Sequence, residues 1–181
     1  TPIVVNDSRG FFTSRVFGSF TQEGQQMLKD GIAPALIENA AKMAGFPVGP
    51  LAVSDEVTLT LQQSIYRQQE ADGLPEKYRG QLTRGLVDQM CDVIKRPGKR
   101  FGAGFYDYPA AGGKKLWPGL AQHFPLAKEQ PGVDEVKSRF LCRMALETAR
   151  CYEEGVLTNS IDGDIGSILG IGFPPWTGGA L

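Results

Sequence analysis

The chain has one histidine, His123, and three cysteines, Cys91, Cys142 and Cys151, in 181 residues. A lone His in the loop-like stretch "GLAQHFPLA" has no sequence partner to tune it, so it reads as a surface residue. Three Cys without metal-type spacing give neither a disulfide framework nor a thiolate metal site, and no metal is expected; reduced thiols fit a cytoplasmic protein. Basic residues do not cluster: 19 Lys and Arg stand against 20 Asp and Glu, for a net charge of −1. That excludes the electrostatic footprint of a nucleic-acid partner. No apolar run approaches the ~20 residues of a transmembrane helix, and the N-terminus carries no signal-peptide pattern. Strand signal is almost missing, confined to "PIVV" at 2–5 and "FYDY" at 105–108. The strand–G-x-G-x-x-G–helix of a dinucleotide site is absent too: "GKRFGAGF" has its glycines at the wrong spacing and follows no strand.

What remains is an ordinary apolar share of 41%, enough for a core in a chain of this size without disulfide or metal, arranged with helical period. It is arranged twice. Residues 15–50 and 139–179 are alike: Arg15, Glu23, Gly31 and Ile37 fall 124 positions before Arg139, Glu147, Gly155 and Ile161. The match holds through Glu38/Asp162, and a three-residue insertion then brings Phe46-Pro47 onto Phe173-Pro174. Val16, Phe17, Phe20, Met27 and Leu28 share one helical face, and Phe140, Leu141, Met144, Cys151 and Tyr152 take the equivalent offsets. Gly31 and Gly155 stand where a helix ends in a left-handed residue. Short helices follow at about 34–44 and 159–169, the second capped by Thr158 or Asn159, and Gly-Phe-Pro closes each copy. Two more helices are expected between the copies, from Ser54 to about Gln69 and from Pro75 to about Lys95. The fold class is therefore mainly α, as two similar helical units packed about a pseudo-two-fold axis.

Glu23 and Glu147 lie three residues past one apolar face residue and four before another, so they point inward. A buried carboxylate needs donors, and the expectation is backbone N–H groups of a neighbouring loop rather than acid–base chemistry.

Three stretches, "VVNDSRGFFTSR", "GFPVGPLAVSDEV" and "GKRFGAGFYDYP", resemble the C-terminal part of the 3-hydroxyacyl-CoA dehydrogenases. That family shows Pro-Gly-Phe-x-x-Asn-Arg, Gly-(Phe/Tyr)-Pro-Met-Gly-Pro, an Asp-x-Val helix start and Gly-x-Gly-Phe-Tyr-x-Tyr, in this order and at about this spacing. The second helical unit resembles the long multifunctional fatty-acid oxidation proteins. The units expected from this resemblance, of the 6-phosphogluconate-dehydrogenase-C-terminal-like kind, are 1–110 and a partial or atypical 111–181.

The resemblance implies NAD-dependent oxidation of (S)-3-hydroxyacyl-CoA in fatty-acid β-oxidation. It implies that NAD is bound by a Rossmann domain preceding this chain, with no cofactor-binding residue in the chain itself. The catalytic His–Glu pair would lie on that same domain, and an enoyl-CoA hydratase further upstream. On this expectation the chain begins late, "PIVV" ends a strand of the preceding domain, and the chain alone is inactive. Its partners would be the acyl-CoA substrate and its own NAD-binding domain, with homo-oligomerisation left open. Ser14 stands at the family's Asn position, where the resemblance implies a hydrogen bond to the substrate's 3-oxygen; Arg9 stands where the family has Pro. A Ser hydroxyl can donate too, and Ser is also common at helix starts. The loop Phe46, Pro47, Val48, Gly49 and Pro50 is implied to border the substrate, and Lys99 and Arg100 read as a solvated pair. Two rival readings are a non-catalytic helical interaction module and the C-terminal domain of another β-hydroxy-acid dehydrogenase.

Overall fold

The computed structural model describes residues 2–75 and 81–181. Helix α1 (Thr13–Lys29) and α2 (Pro34–Ala44) form one helical hairpin; α7 (Val133–Glu153) and α8 (Ser160–Ile171) form the second. Between them run α3 (Pro50–Val57), α4 (Leu59–Ala71), α5 (Gln81–Asp88), a two-residue antiparallel pair β1 (Tyr106–Asp107) and β2 (Lys115–Leu116), and the single turn α6 (Leu120–His123). The mainly α reading stands. "FYDY" does supply the short strand β1, whereas residues 2–5 join no strand.

Both hairpins turn as their glycines require. Gly31 and Gly155 have φ of +83° and +73°, a region costly for any residue with a Cβ. The chain then folds back identically: Ile32 N–H donates to Met27 O (3.0 Å) and Val156 N–H to Cys151 O (2.8 Å). Gly45 and Gly172 end the second helices with φ of +109° and +70°, and Asn159 caps α8 by accepting from the Asp162 N–H at 2.8 Å. The copies match differently from the expectation in one stretch. Ile37 is buried but Ile161 is exposed; the buried positions of α2, Ile37, Ala40 and Ala41, correspond instead to Gly163, Gly166 and Ser167 of α8. Most of the insertion thus lies in the turn before α8. Tyr152 also leaves the apolar face, being exposed where Leu28 is buried.

The hairpins clasp face to face. Phe20 of α1 stacks on Phe46 (centroids 4.5 Å) and meets Phe140 of α7 (5.1 Å), while Phe46 meets its own counterpart Phe173 edge-on at 5.9 Å. Polar contacts cross the same axis reciprocally. Arg15 donates to Glu147 (2.8 and 3.0 Å) and to Glu154 (2.7 Å). Arg139 donates to Glu23 (2.7 Å) and Asp30 (3.2 Å). Each Arg reaches the same two positions of the opposite copy, as in a symmetric dimer interface written inside one chain. Glycine and proline ring also approach reciprocally: a Cβ on Gly45 would lie 3.0 Å from the Pro174 ring, and one on Gly172 3.0 Å from the Pro47 ring. Glu23 and Glu147 therefore find arginine donors, not the loop N–H groups expected. The two-fold relation carries each hairpin's first Arg across to the middle of the other's long helix, which single-hairpin reasoning does not anticipate.

The middle segment departs further from expectation. The first helix there begins at Pro50, not Ser54, and breaks at Thr58, whose φ is +71°. Such a backbone is costly for a β-branched residue. It is held because Leu59 N–H turns to Pro97 O (2.8 Å) and Thr58 Oγ1 accepts from Leu61 N–H (3.3 Å). Of the helix expected over 75–95, residues 76–80 lie outside the described residues. The rest is α5 followed by a π-helical turn, Gln89–Val93.

Candidate functional site

Two buried carboxylates shape the surface around the loop 45–50. Glu38, on α2, accepts from the Leu51 N–H (2.7 Å) and the Tyr106 hydroxyl (2.6 Å). Asp55, on α3, accepts from the N–H groups of Phe105 and Tyr106 (2.9 Å each) and the Tyr108 hydroxyl (3.0 Å). Their burial raises both pKa values against the lowering effect of these donors, Asp55 to about 6. Glycine makes room for each: a Cβ on Gly49 would overlap the Glu38 carboxylate, and one on Gly104 that of Asp55. Loop 45–50 and turn 104–108 are thus tied to α2 and α3. These two acids are anchors, and sequence reasoning passed over them for Glu23 and Glu147. The pairing of each acid with a glycine is visible only in the fold.

Within the loop, Phe46, Gly49 and Pro50 are buried, while Pro47 is exposed and Val48 half-buried. Phe46 belongs to the aromatic core. Pro50 opens α3 and lies so close to Gly24 of α1 that a Cβ there would overlap its ring. Pro47 and Val48 face a small apolar hollow of about 70 Å³, closed by Phe17, Phe20 and Phe46, by Val53 of α3 and by Ile171 of α8.

Ser14 lies exposed in the first turn of α1. It does not cap the helix: the N-cap is Phe12, which makes no side-chain cap bond. The Ser14 hydroxyl has no side-chain hydrogen bond among the described residues. Phe17, one turn further along α1, lines the hollow with Pro47 and Val48; Ser14 itself is not among the lining residues. Arg9 pairs instead with Asp72 at the surface.

The other candidates disperse. His123 stacks on Trp117 (5.5 Å), whose ring also carries Arg96 (4.3 Å). Lys99 pairs with Glu56 (3.2 Å), and Arg100 borders an open depression at the α3–α4 break. The glycine-rich stretch 98–104 does not fit a dinucleotide's pyrophosphate. Gly98 and Gly104 are packed against Asp55, through its carbonyl and carboxylate, and cannot cradle a pyrophosphate. No group of three or more His, Cys, Asp or Glu residues among those described could hold a metal, and no described helix is long and apolar enough to cross a membrane.

Comparison with known proteins now decides the family. The family model described as "3-hydroxyacyl-CoA dehydrogenase, C-terminal domain" matches residues 10–108, the span that contains Ser14, the loop and both anchoring carboxylates. The chain belongs to this family. It is similar to the fatty acid oxidation complex subunit alpha of Shewanella oneidensis, 35% identical over 99% of this chain and 25% of that one. The Shewanella halifaxensis protein of the same name is 37% identical over the same shares. The chain thus spans about a quarter of the length of these relatives. A crystal structure of 3-hydroxybutyryl-CoA dehydrogenase from Escherichia coli has the same fold, with a TM-score of 0.66 at 16% identity, over 94% of this chain and 52% of that one.

Proposed function

We propose that this chain is the substrate-side helical region of an NAD-dependent (S)-3-hydroxyacyl-CoA dehydrogenase of cytoplasmic fatty-acid β-oxidation. NAD is bound by a Rossmann domain elsewhere in the polypeptide, and the acyl-CoA lies between that domain and this one. The first unit, 1–110, forms one wall of the cleft; the second, 111–181, buttresses it. The observation that carries this reading is the match of residues 10–108 to the family's C-terminal domain, a span that holds both the exposed Ser14 and most of the apolar hollow lined by Pro47 and Val48.

Ser14 donates a hydrogen bond to the substrate's 3-oxygen as the hydroxyl becomes a carbonyl, steadying the polarised C–O bond. Pro47 and Val48 present apolar surface to the acyl group. Phe46, Gly49 and Pro50 hold that surface in shape from beneath, through the aromatic core, the Glu38 anchor and the α1 contact. The His–Glu acid–base pair is supplied by the NAD-binding part, as is the cofactor.

The test is steady-state oxidation of (S)-3-hydroxyacyl-CoA by the intact polypeptide. Ser14→Ala is expected to lower kcat by ~10²-fold with KM little changed, and Ser14→Asn to keep substantial turnover. Equal kcat for Ser14→Ala and wild type would leave Ser14 as a residue of the helix start only.

A further inference from the structure

The two units are related closely enough for their differences to be informative. On the Gly45 side of the axis, Trp176 lies against Gly45, its indole N–H fixed on Ala44 O at 2.7 Å. Trp176 has no counterpart in the first unit: Gly49 there matches Gly179, each glycine packing on an acid (Glu38, Asp164) that accepts the N–H two residues past the glycine (Leu51, Leu181). Gly49 is turned in against Glu38 and can carry no side chain. On the Gly172 side Pro47 makes the equivalent approach, but no indole accompanies it. The apolar hollow lies on this side, lined by Pro47, Val48, Val53 and Phe17 together with Ile171.

The hollow holds about 70 Å³, room for roughly two groups the size of water or a methylene at ~30 Å³ apiece. Its lining is almost wholly apolar, so an apolar chain end is the occupant that leaves no polar group unpaired there. Ile171 comes from α8, at the close of the second hairpin, whereas the other lining residues belong to the first unit.

We infer that this hollow receives the distal methylenes of the substrate's acyl chain, and that Ile171 of the second unit limits the chain length accepted. The inference rests on the proposed dehydrogenase reading and adds a specificity residue to it. The second unit then does more than support the first: it completes the acyl subsite.

The experiment compares kcat/KM of the intact polypeptide on 3-hydroxybutyryl-, 3-hydroxyhexanoyl- and 3-hydroxydecanoyl-CoA. Ile171→Trp, which fills the hollow as Trp176 occupies the other side, is expected to lower kcat/KM ~10-fold for the chains that reach it and to leave the four-carbon substrate unchanged. Ile171→Ala, which enlarges the hollow, is expected to raise the preference for the longest chain over the shortest by several-fold. Parallel losses on all three substrates in both variants would make Ile171 a packing residue and overturn the inference. So would an unaltered chain-length profile in a folded variant. Wild type that oxidises none of the three would instead overturn the dehydrogenase reading itself, and the inference with it.

Discussion

Asp55 has its carboxylate enclosed by two backbone N–H groups and a tyrosine hydroxyl. Asn in its place keeps one acceptor oxygen but turns an NH2 group, which cannot accept, toward one of these donors. Asp55→Asn is therefore expected to destabilise by about 1–3 kcal/mol in chemical denaturation. Burial raises the folded-state pKa of Asp55 from 3.8 to about 6, while the unfolded chain keeps the lower value. Between those values the folded state holds the extra proton. This group's contribution to stability is thus greatest below pH ~4 and declines as pH rises through about 6, by about 3 kcal/mol at most. The stability of Asp55→Asn, measured across that window, lacks this decline; an identical pH profile in the two proteins would show that Asp55 does not titrate there. Gly49→Ala drives a methyl into the Glu38 carboxylate and is expected to cost about 1–3 kcal/mol, read as a lower Tm. At this scale little was legible in advance. The anchors Glu38 and Asp55 are defined by partners up to 68 residues away, and periodicity within one helix carries no such information. Ser14 is singled out only by a motif; its exposure and its lack of a capping role come from the fold.

At the scale of elements, the two hairpins were legible because their signals are local: a 3.6-residue apolar stripe, a glycine that accepts positive φ, a Pro-containing stop. The break at Thr58 was not, since threonine is an ordinary helix-tolerant residue until Pro97 O captures the next N–H and Gly98 packs into the gap. The π-helical turn at Gln89–Val93 likewise has no sequence signature. The crossed ion pairs belong to this scale. Arg15 and Glu147 have only 12% and 14% of their side chains exposed, so their coupling should sit at the upper end of the range for surface pairs. A double-mutant cycle with Arg15→Ala and Glu147→Ala is expected to give about 1 kcal/mol, and the related cycle with Arg139→Ala and Glu23→Ala a smaller value of the same sign. Zero coupling in both would remove these pairs from the energetics of the clasp. Glu23→Gln, which keeps an acceptor for Arg139, should cost less than Glu23→Ala.

For the whole molecule, the aromatic cluster on the pseudo-axis makes the hairpins one core. Phe20 and Phe140 are almost wholly buried against each other and against Phe46. Phe140→Ala should cost about 3–5 kcal/mol in a single cooperative transition; two separate transitions would show hairpins that fold independently. The duplication could be read from the sequence because it preserves Arg, Glu and Gly at fixed offsets. That the copies exchange their Arg–Glu partners could not, because the relation lies between copies and not within either. The functional account places an oxygen-polarising Ser and an apolar subsite on this clasped pair, and the cofactor and acid–base pair elsewhere in the polypeptide. Its most direct test is the rate of NAD-dependent oxidation of (S)-3-hydroxyacyl-CoA, measured side by side for the intact polypeptide and for residues 1–181 alone. The account predicts steady turnover by the former and none by the latter; turnover by residues 1–181 alone, or none by the intact polypeptide, would contradict it.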